Sequence, residues 1–257
     1  MTSGGETVTF LSQGKKIVGV IECPEQLTAR AVVFAHGLSN SKDPVDIPLL
    51  YRINNALLAA GYITMRFDFF GSGESDGQFC DKTISAMREN FLDALTFLKI
   101  KHPEINWIGT VGKSIGGTVL ALIGGDPRLS ASVLMTMRYS LAPFFAKFWS
   151  GQDEVNLSGK VPPTGAVKGK FSLSKNFFAE LPQIDADVAK GLKQMARTLV
   201  VINEGDEKIS LESGREVYDN LSGIKELITI PGHDHELAEN EAQITIKVVD
   251  FFNQLNS

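Results

Sequence analysis

The sequence predicts an α/β domain whose twisted, mostly parallel sheet of about eight strands is flanked by helices. Three observations carry this. Short continuous apolar runs such as Ala31-Val32-Val33-Phe34-Ala35 alternate with longer segments at helical spacing, the pattern of strands buried on both faces and joined by helical crossovers. Polar or glycine-rich turns at 36–40, 71–77, 112–117, 203–210 and 231–236 each follow such a run. In a parallel sheet these turns gather at the carboxyl edge, where sites are built. The third is size: 257 residues, 43% hydrophobic and 21% charged, are ordinary for one large globular domain.

The elements follow in order. Val8 to Leu11, Gly14 and Ile17 to Ile21 predict an antiparallel hairpin. The run 31–35 is the next strand and ends in His36-Gly37-Leu38-Ser39-Asn40. A helix from about Pro48 to Ala60 places Leu49, Ile53 and Leu57 on one face, with Gly61 as its stop. Ile63 to Asp68 is a strand. The turn Gly71-Ser72-Gly73-Glu74-Ser75-Asp76-Gly77 follows it, and Asp76 stands where a dinucleotide-binding GxGxxG needs glycine. A helix from about Thr83 to Lys101 carries Met87, Phe91, Leu95 and Leu98. Residues 107–111 and 131–137 are buried strands on either side of a helix over 118–123. Regular order resumes with a strand at 199–202, a helix over 211–220, a strand at 227–230 and a last helix bearing Ile244, Val248, Phe251 and Leu255.

Between 139 and 195 the alternation is unclear. Paired aromatics (Phe144-Phe145, Phe148-Trp149, Phe177-Phe178) and Pro162-Pro163 fill it, and it is too long for a simple loop. The expected division is a core of 1–138 and 196–257 with 139–195 inserted as a cap. Most of its aromatics are expected to form the cap's own small core, and others in 139–195 to contact substrate.

Thr110-Val111-Gly112-Lys113-Ser114-Ile115-Gly116-Gly117 links a strand to a helix through Gly-x-Ser-x-Gly. A sharp strand-to-helix turn strains the serine backbone, and the flanking glycines remove side chains that would collide. Ser114 is therefore the candidate nucleophile. Gly112-Lys113-Ser114 also ends a phosphate-binding loop, but that motif needs glycine at 107, which is Trp. A Gly/Ser turn without chemistry is the third reading.

A serine nucleophile needs a base, and the base a carboxylate to hold its tautomer. Of the four histidines, His102 ends a helix and His36 shapes a loop, which leaves His233 and His235 after the last strand. Asp206 lies four residues past the strand that ends at Ile202. The order Ser, Asp, His is one of the known orders for this chemistry.

On Phe34-Ala35-His36-Gly37-Leu38, Arg66 to Gly77, Gly112 to Gly117, Asp206 to Ser210 and Gly232-His233-Asp234-His235, the chain resembles the serine α/β hydrolases. Within them it is similar to the cinnamoyl (feruloyl) esterase-like group. The resemblance implies the α/β-hydrolase fold, His235 rather than His233 as base, and Asp206 rather than Glu204 as acid. It also implies an oxyanion hole from the backbone N–H groups of Leu38 and Ile115. The implied activity is cleavage of small-molecule carboxylic esters, with thioester, amide or acyl-transfer chemistry, or ligand binding without turnover, as alternatives. Lys113, Ile115 and Asn203 depart from the group's usual His, Gln and Gly. Lys113 is expected to pair with a carboxylate rather than to tune nearby groups.

A net charge of −5 excludes a basic nucleic-acid-binding surface. No run reaches the ~18 apolar residues of a membrane span. Two cysteines without CxxC spacing, and a start lacking a basic and apolar leader, predict a cytoplasmic protein. No cofactor and no metal are expected, and the assembly is expected to be a monomer or homodimer.

Overall fold

The computed structural model describes residues 5–26, 28–158 and 167–254. Met1 to Gly4, the Pro162-Pro163 pair and Leu255 of the expected last helix lie outside them. Strands β1 (Glu6–Ser12) and β2 (Lys15–Glu22) form the expected hairpin. Its turn is Gln13-Gly14, with φ +49° and +74°, the left-handed pair that a two-residue hairpin turn demands.

The sheet continues through β3 (Arg30–Ala35), β4 (Ile63–Phe67), β5 (Trp107–Lys113), β6 (Leu129–Met135), β9 (Arg197–Asn203) and β10 (Ile224–Ile230). Strand order is β1-β2-β4-β3-β5-β6-β9-β10, antiparallel at the β1-β2 and β2-β4 pairs and parallel elsewhere. Eight strands in one sheet match the number expected.

Helix α1 (Pro48–Ala59) and helix α7 (Glu241–Asn253) pack together on one face. Helices α2 (Ile84–Lys101), α3 (Ile115–Leu122) and α5 (Lys175–Gln194) contact one another on the other. The two-residue period of a strand divides β3 between them. Val32 and Phe34 join the α1/α7 core, whereas Ala31, Val33 and Ala35 join the α2/α3/α5 core. Thr83 caps α2 by accepting the Ala86 N–H at 3.1 Å.

The connection β3-α1-β4 runs to one side of β3, while β4-α2-β5 returns past it to the other. Chain direction across the sheet therefore reverses at β3 and β5, which pair Ala35 with Gly112. This switch point opens a crevice at the carboxyl ends of these two strands. His36-Gly37-Leu38 leaves one and Ser114 leaves the other.

The described residues of 139–195 hold α4 (Ala142–Ala146), the short antiparallel pair β7 (Glu154–Asn156) and β8 (Ser172–Ser174), and α5. Their aromatics pack largely on one another. Phe145 and Phe177 meet at 5.2 Å, and Trp149 stacks on Phe178 at 5.6 Å, but the buried Phe145, Phe177 and Phe178 belong to the same apolar core as α2 and α3, not to the separate small core expected. Helix α5 is also part of the main core. A Cβ on Gly191 would lie 1.8 Å from the Ala121 carbonyl oxygen of α3, so only glycine permits this helix-helix approach. Helix α6 (Leu211–Asp219) lies against β9 and is capped by Ser210, which accepts the Ser213 N–H at 3.2 Å.

Candidate active site

Ser114 sits between β5 and α3 with φ +54° and ψ −122°. This region is sparsely populated for any residue with a side chain and typically costs about 1–3 kcal/mol. The surroundings hold it there. Its N–H donates to the Met135 carbonyl of β6 at 2.9 Å, and its carbonyl accepts the Gly117 N–H at 2.9 Å. A Cβ on Gly112 would sit 2.7 Å from the Gly116 carbonyl oxygen, and one on Gly116 would sit 2.1 Å from that of Ala35. The glycines thus let the start of α3 press directly on the end of β3.

That approach sets the His36-Gly37-Leu38 loop beside the first turn of α3. Ile115 is the first residue of that helix, so its N–H is among those a helix leaves without an internal partner. Gly37, Leu38, Ser114 and Ile115 line one cavity of about 90 Å³, together with His235. Lys82 fastens the loop from beneath. The residue is 1% exposed, and its ammonium donates to the Leu38 carbonyl at 2.7 Å and to the Ser72 hydroxyl. Burial lowers its pKa to about 7.

His36 is buried beneath the same loop. In its neutral form Nδ1–H donates to the Gly37 carbonyl at 2.7 Å and Nε2 accepts the Phe69 N–H at 3.2 Å. Burial, with the charge of Lys82, lowers its pKa from 6.5 to about 3. The unfolded chain therefore binds a proton between pH 6.5 and 3 that the folded chain refuses, so stability falls as pH falls through that window. The contribution is about 1.4 kcal/mol per pH unit. Urea titrations at pH 6.5, 5.5 and 4.5 should show this slope, reduced by about that amount in His36→Asn. Equal slopes in the two proteins would overturn the assignment.

The loops after β9 and β10 supply the remaining groups. His235, 5% exposed, sets Nδ1 2.8 Å from Asp206 Oδ2 and 3.1 Å from Oδ1. Asp206 Oδ1 also accepts the N–H groups of Lys208 at 2.8 Å and Ile209 at 2.9 Å. Burial alone would raise the Asp206 pKa. The hydrogen bond and charge of His235, with those two N–H groups, outweigh it and hold the carboxyl below its ordinary value. An ionised Asp206 fixes the proton of neutral His235 on Nδ1 and leaves Nε2 as the acceptor.

Asn203 stitches the two loops together, donating to the Asp234 carbonyl at 2.8 Å, while the Gly205 N–H donates to that of Gly232 at 2.9 Å. Asp234 in turn accepts the Glu236 and Ala238 N–H groups at 2.8 and 3.1 Å. His233 is exposed and packs against Gly205, where a Cβ would lie 2.1 Å from its Nδ1. It is absent from the cavity lining.

Lys113, 4% exposed, pairs with Glu236 at 2.6 Å, the carboxylate pairing expected of it. This pair and Lys208 also border a second cavity of about 450 Å³, which Ser114 does not line. Sequence reasoning did not find Glu236, Arg138 or Lys82. Lys82 stands two residues before α2 between Asp81 and Thr83, and nothing in that polar stretch marks it as buried.

The arrangement is a serine held in a strained strand-to-helix turn, a histidine held by a carboxylate, and a crevice between them at the switch point of an α/β sheet. No family model matches the chain, and no curated protein matches it. Solved structures do. The ferulic-acid-bound form of Est1E from Butyrivibrio proteoclasticus superposes with a TM-score of 0.79 at 20% identity, covering 96% of this chain and 98% of that one. The esterase domain of a Rhodothermus marinus protein gives 0.72 at 19% identity, over 97% and 98%. An α/β serine hydrolase without lid from Xanthomonas campestris gives 0.69 at 12% identity, over 99% and 96%. The chain therefore has the α/β-hydrolase fold. Among the described residues no helix is long and apolar enough to cross a membrane.

Proposed function

We propose that this protein is a serine esterase acting on small carboxylic esters. Ser114 is the nucleophile, His235 the base and Asp206 the acid. The observation that carries the reading is the 2.8 Å contact of His235 Nδ1 with a buried carboxylate, in a cavity shared with a serine held at φ +54°. Neutral His235 takes the Ser114 proton at Nε2 as Oγ attacks the ester carbonyl. The N–H groups of Ile115 and Leu38 receive the oxyanion, each worth about 3 kcal/mol in the transition state. His235 then protonates the departing alcohol, and water enters by the same route to release the acid.

The described part of 139–195 acts as the cap over this cavity, with Leu141, Phe144 and Phe145 in its lining. The small cavity suits short acyl or single-ring aromatic groups, hydroxycinnamoyl among them. The wider cleft beyond the Lys113–Glu236 pair offers room for the alcohol portion. Two unpaired thiols, Cys23 and Cys80, fit a reducing compartment.

A panel of p-nitrophenyl esters of rising acyl length tests the reading, with a fluorophosphonate probe alongside. Hydrolysis is expected to fall off beyond short acyl chains, and the probe to label Ser114 alone. No turnover of any ester, with Ser114 unlabelled, would defeat the proposal.

A further inference from the structure

The cavity that holds Ser114 and His235 carries an unbalanced charge. Lys113, Arg138 and Lys208 line it against one carboxylate, Glu236. Lys113 and Glu236 neutralise each other. Asp206 stands behind His235 with its side chain 1% exposed, its oxygens occupied by His235 and the N–H groups of Lys208 and Ile209. Among the described residues, no carboxylate lies within ion-pair distance of Arg138 or Lys208.

Arg138 is the less ordinary of the two. It follows β6, is half-buried, and lies with its guanidinium carbon 4.2 Å over the ring of Phe144, itself part of the cavity wall. One of its terminal nitrogens donates to the Lys208 carbonyl. That contact uses a single one of five guanidinium donors and leaves the charge without a direct counter-ion. The charge of Asp206 reaches it only at longer range. Arg66, deeper in the fold, is by contrast paired with Glu22 at 2.8 Å. A partly buried guanidinium keeps its charge, and such charges are normally matched by an opposite one. The cavity that Arg138 lines has room for the opposite charge missing here.

We propose that Arg138, with Lys208 beside it, binds a carboxylate of the substrate, so that the preferred ester carries an anionic group a few bonds from the scissile carbonyl. This rests on the esterase reading and specifies its substrate class. The planar fork of Arg138 suits a carboxylate in a two-point contact, and the Phe144 ring holds the fork in plane.

The test compares matched esters by pH-stat. Monoethyl glutarate against ethyl pentanoate places the charge on the acid side. Butyryloxyacetate against ethyl butyrate places it on the alcohol side. In the native protein kcat/KM is expected to favour the charged member of one pair by about 30-fold or more, and the favoured pair identifies the side. Arg138→Gln should collapse that ratio towards one, Lys208→Gln should lower it by about 3-fold, and Arg138→Lys should restore part of it. A merely structural role at the Lys208 carbonyl would lower both members equally and leave the ratio intact, which would overturn the proposal, as would no preference in either pair.

Calorimetric binding of the same four esters to Ser114→Ala gives a readout without turnover. Selective binding of a charged ester by Ser114→Ala, with none of the four hydrolysed by the native protein, would uphold the anion site and defeat the esterase reading. Hydrolysis without charge preference would do the reverse.

Discussion

Ser114→Ala is expected to lower kcat for p-nitrophenyl butyrate by about 10⁵- to 10⁶-fold, the loss seen when a nucleophile that works as a unit with its base is removed. On the proposed mechanism, the residual rate is expected from groups the substitution leaves alone, the N–H groups of Leu38 and Ile115. Because alanine retains a Cβ, it must adopt the same φ of +54°. The elbow and the packing of Gly116 on Ala35 persist, so the thermal midpoint should move little. His235→Ala should cost about as much, and the double variant no more than either alone, since base and nucleophile contribute to one event. His233→Ala should stay within about 3-fold of the native rate, because exposed side chains away from the reacting atoms cost little. Steady-state kinetics on the four proteins decides the matter. Loss at His233 with retention at His235 would mean that the wrong neighbour had been assigned as base.

That distinction shows how far the sequence could be read. The candidate site was legible because its physics is local. A strained strand-to-helix turn needs glycines at 112 and 116, and parallel strands end in turns on one edge. The two histidines differ by two positions in a tight loop, and residue chemistry alone left them open; the resemblance pointed to His235, the one the structure sets against Asp206. The pattern of the main sheet was equally legible, since fully buried strands such as β3 are continuous apolar runs.

The stretch 139–195 was obscure for two reasons. Pro182 stands inside α5 and argues locally against a helix. The stripe Phe177, Leu181, Ile184, Val188 and Leu192 is buried along its length and outweighs the one lost hydrogen bond. Strands β7 and β8 have three residues each, too few for any period to declare itself. Electrostatics was the least legible layer. Lys113 meets Glu236 across 123 positions, and Lys82 meets the Leu38 carbonyl across 44. Pairings of this kind depend on which turns the sheet brings together, and no local pattern encodes them.

Asp206→Asn should lower kcat by about 10⁴-fold while leaving the fold in place. The asparagine carbonyl can still accept the Lys208 and Ile209 N–H groups that Asp206 Oδ1 accepts at 2.8 and 2.9 Å, so the loop keeps its shape. Its amide, however, presents N–H towards His235 Nδ1. The neutral ring must then place its own proton on Nε2, the atom that should receive the proton of Ser114. The imidazolium formed during attack also loses the charge that steadies it. Glu204→Gln, on an exposed neighbour, should change kcat by less than about 3-fold. An Asp206→Asn protein that kept a tenth or more of the native rate would transfer the acid role elsewhere on the loop. Stability supplies an independent check. The folded pKa of Asp206 is depressed, so its stabilising contribution is present above the unfolded value of about 3.9 and is lost as pH falls through the folded value. Native and variant proteins compared by urea unfolding should therefore differ at pH 7 and converge towards pH 2. A gap that stayed constant with pH would mean that the substitution acts through packing, not through the charge that holds His235.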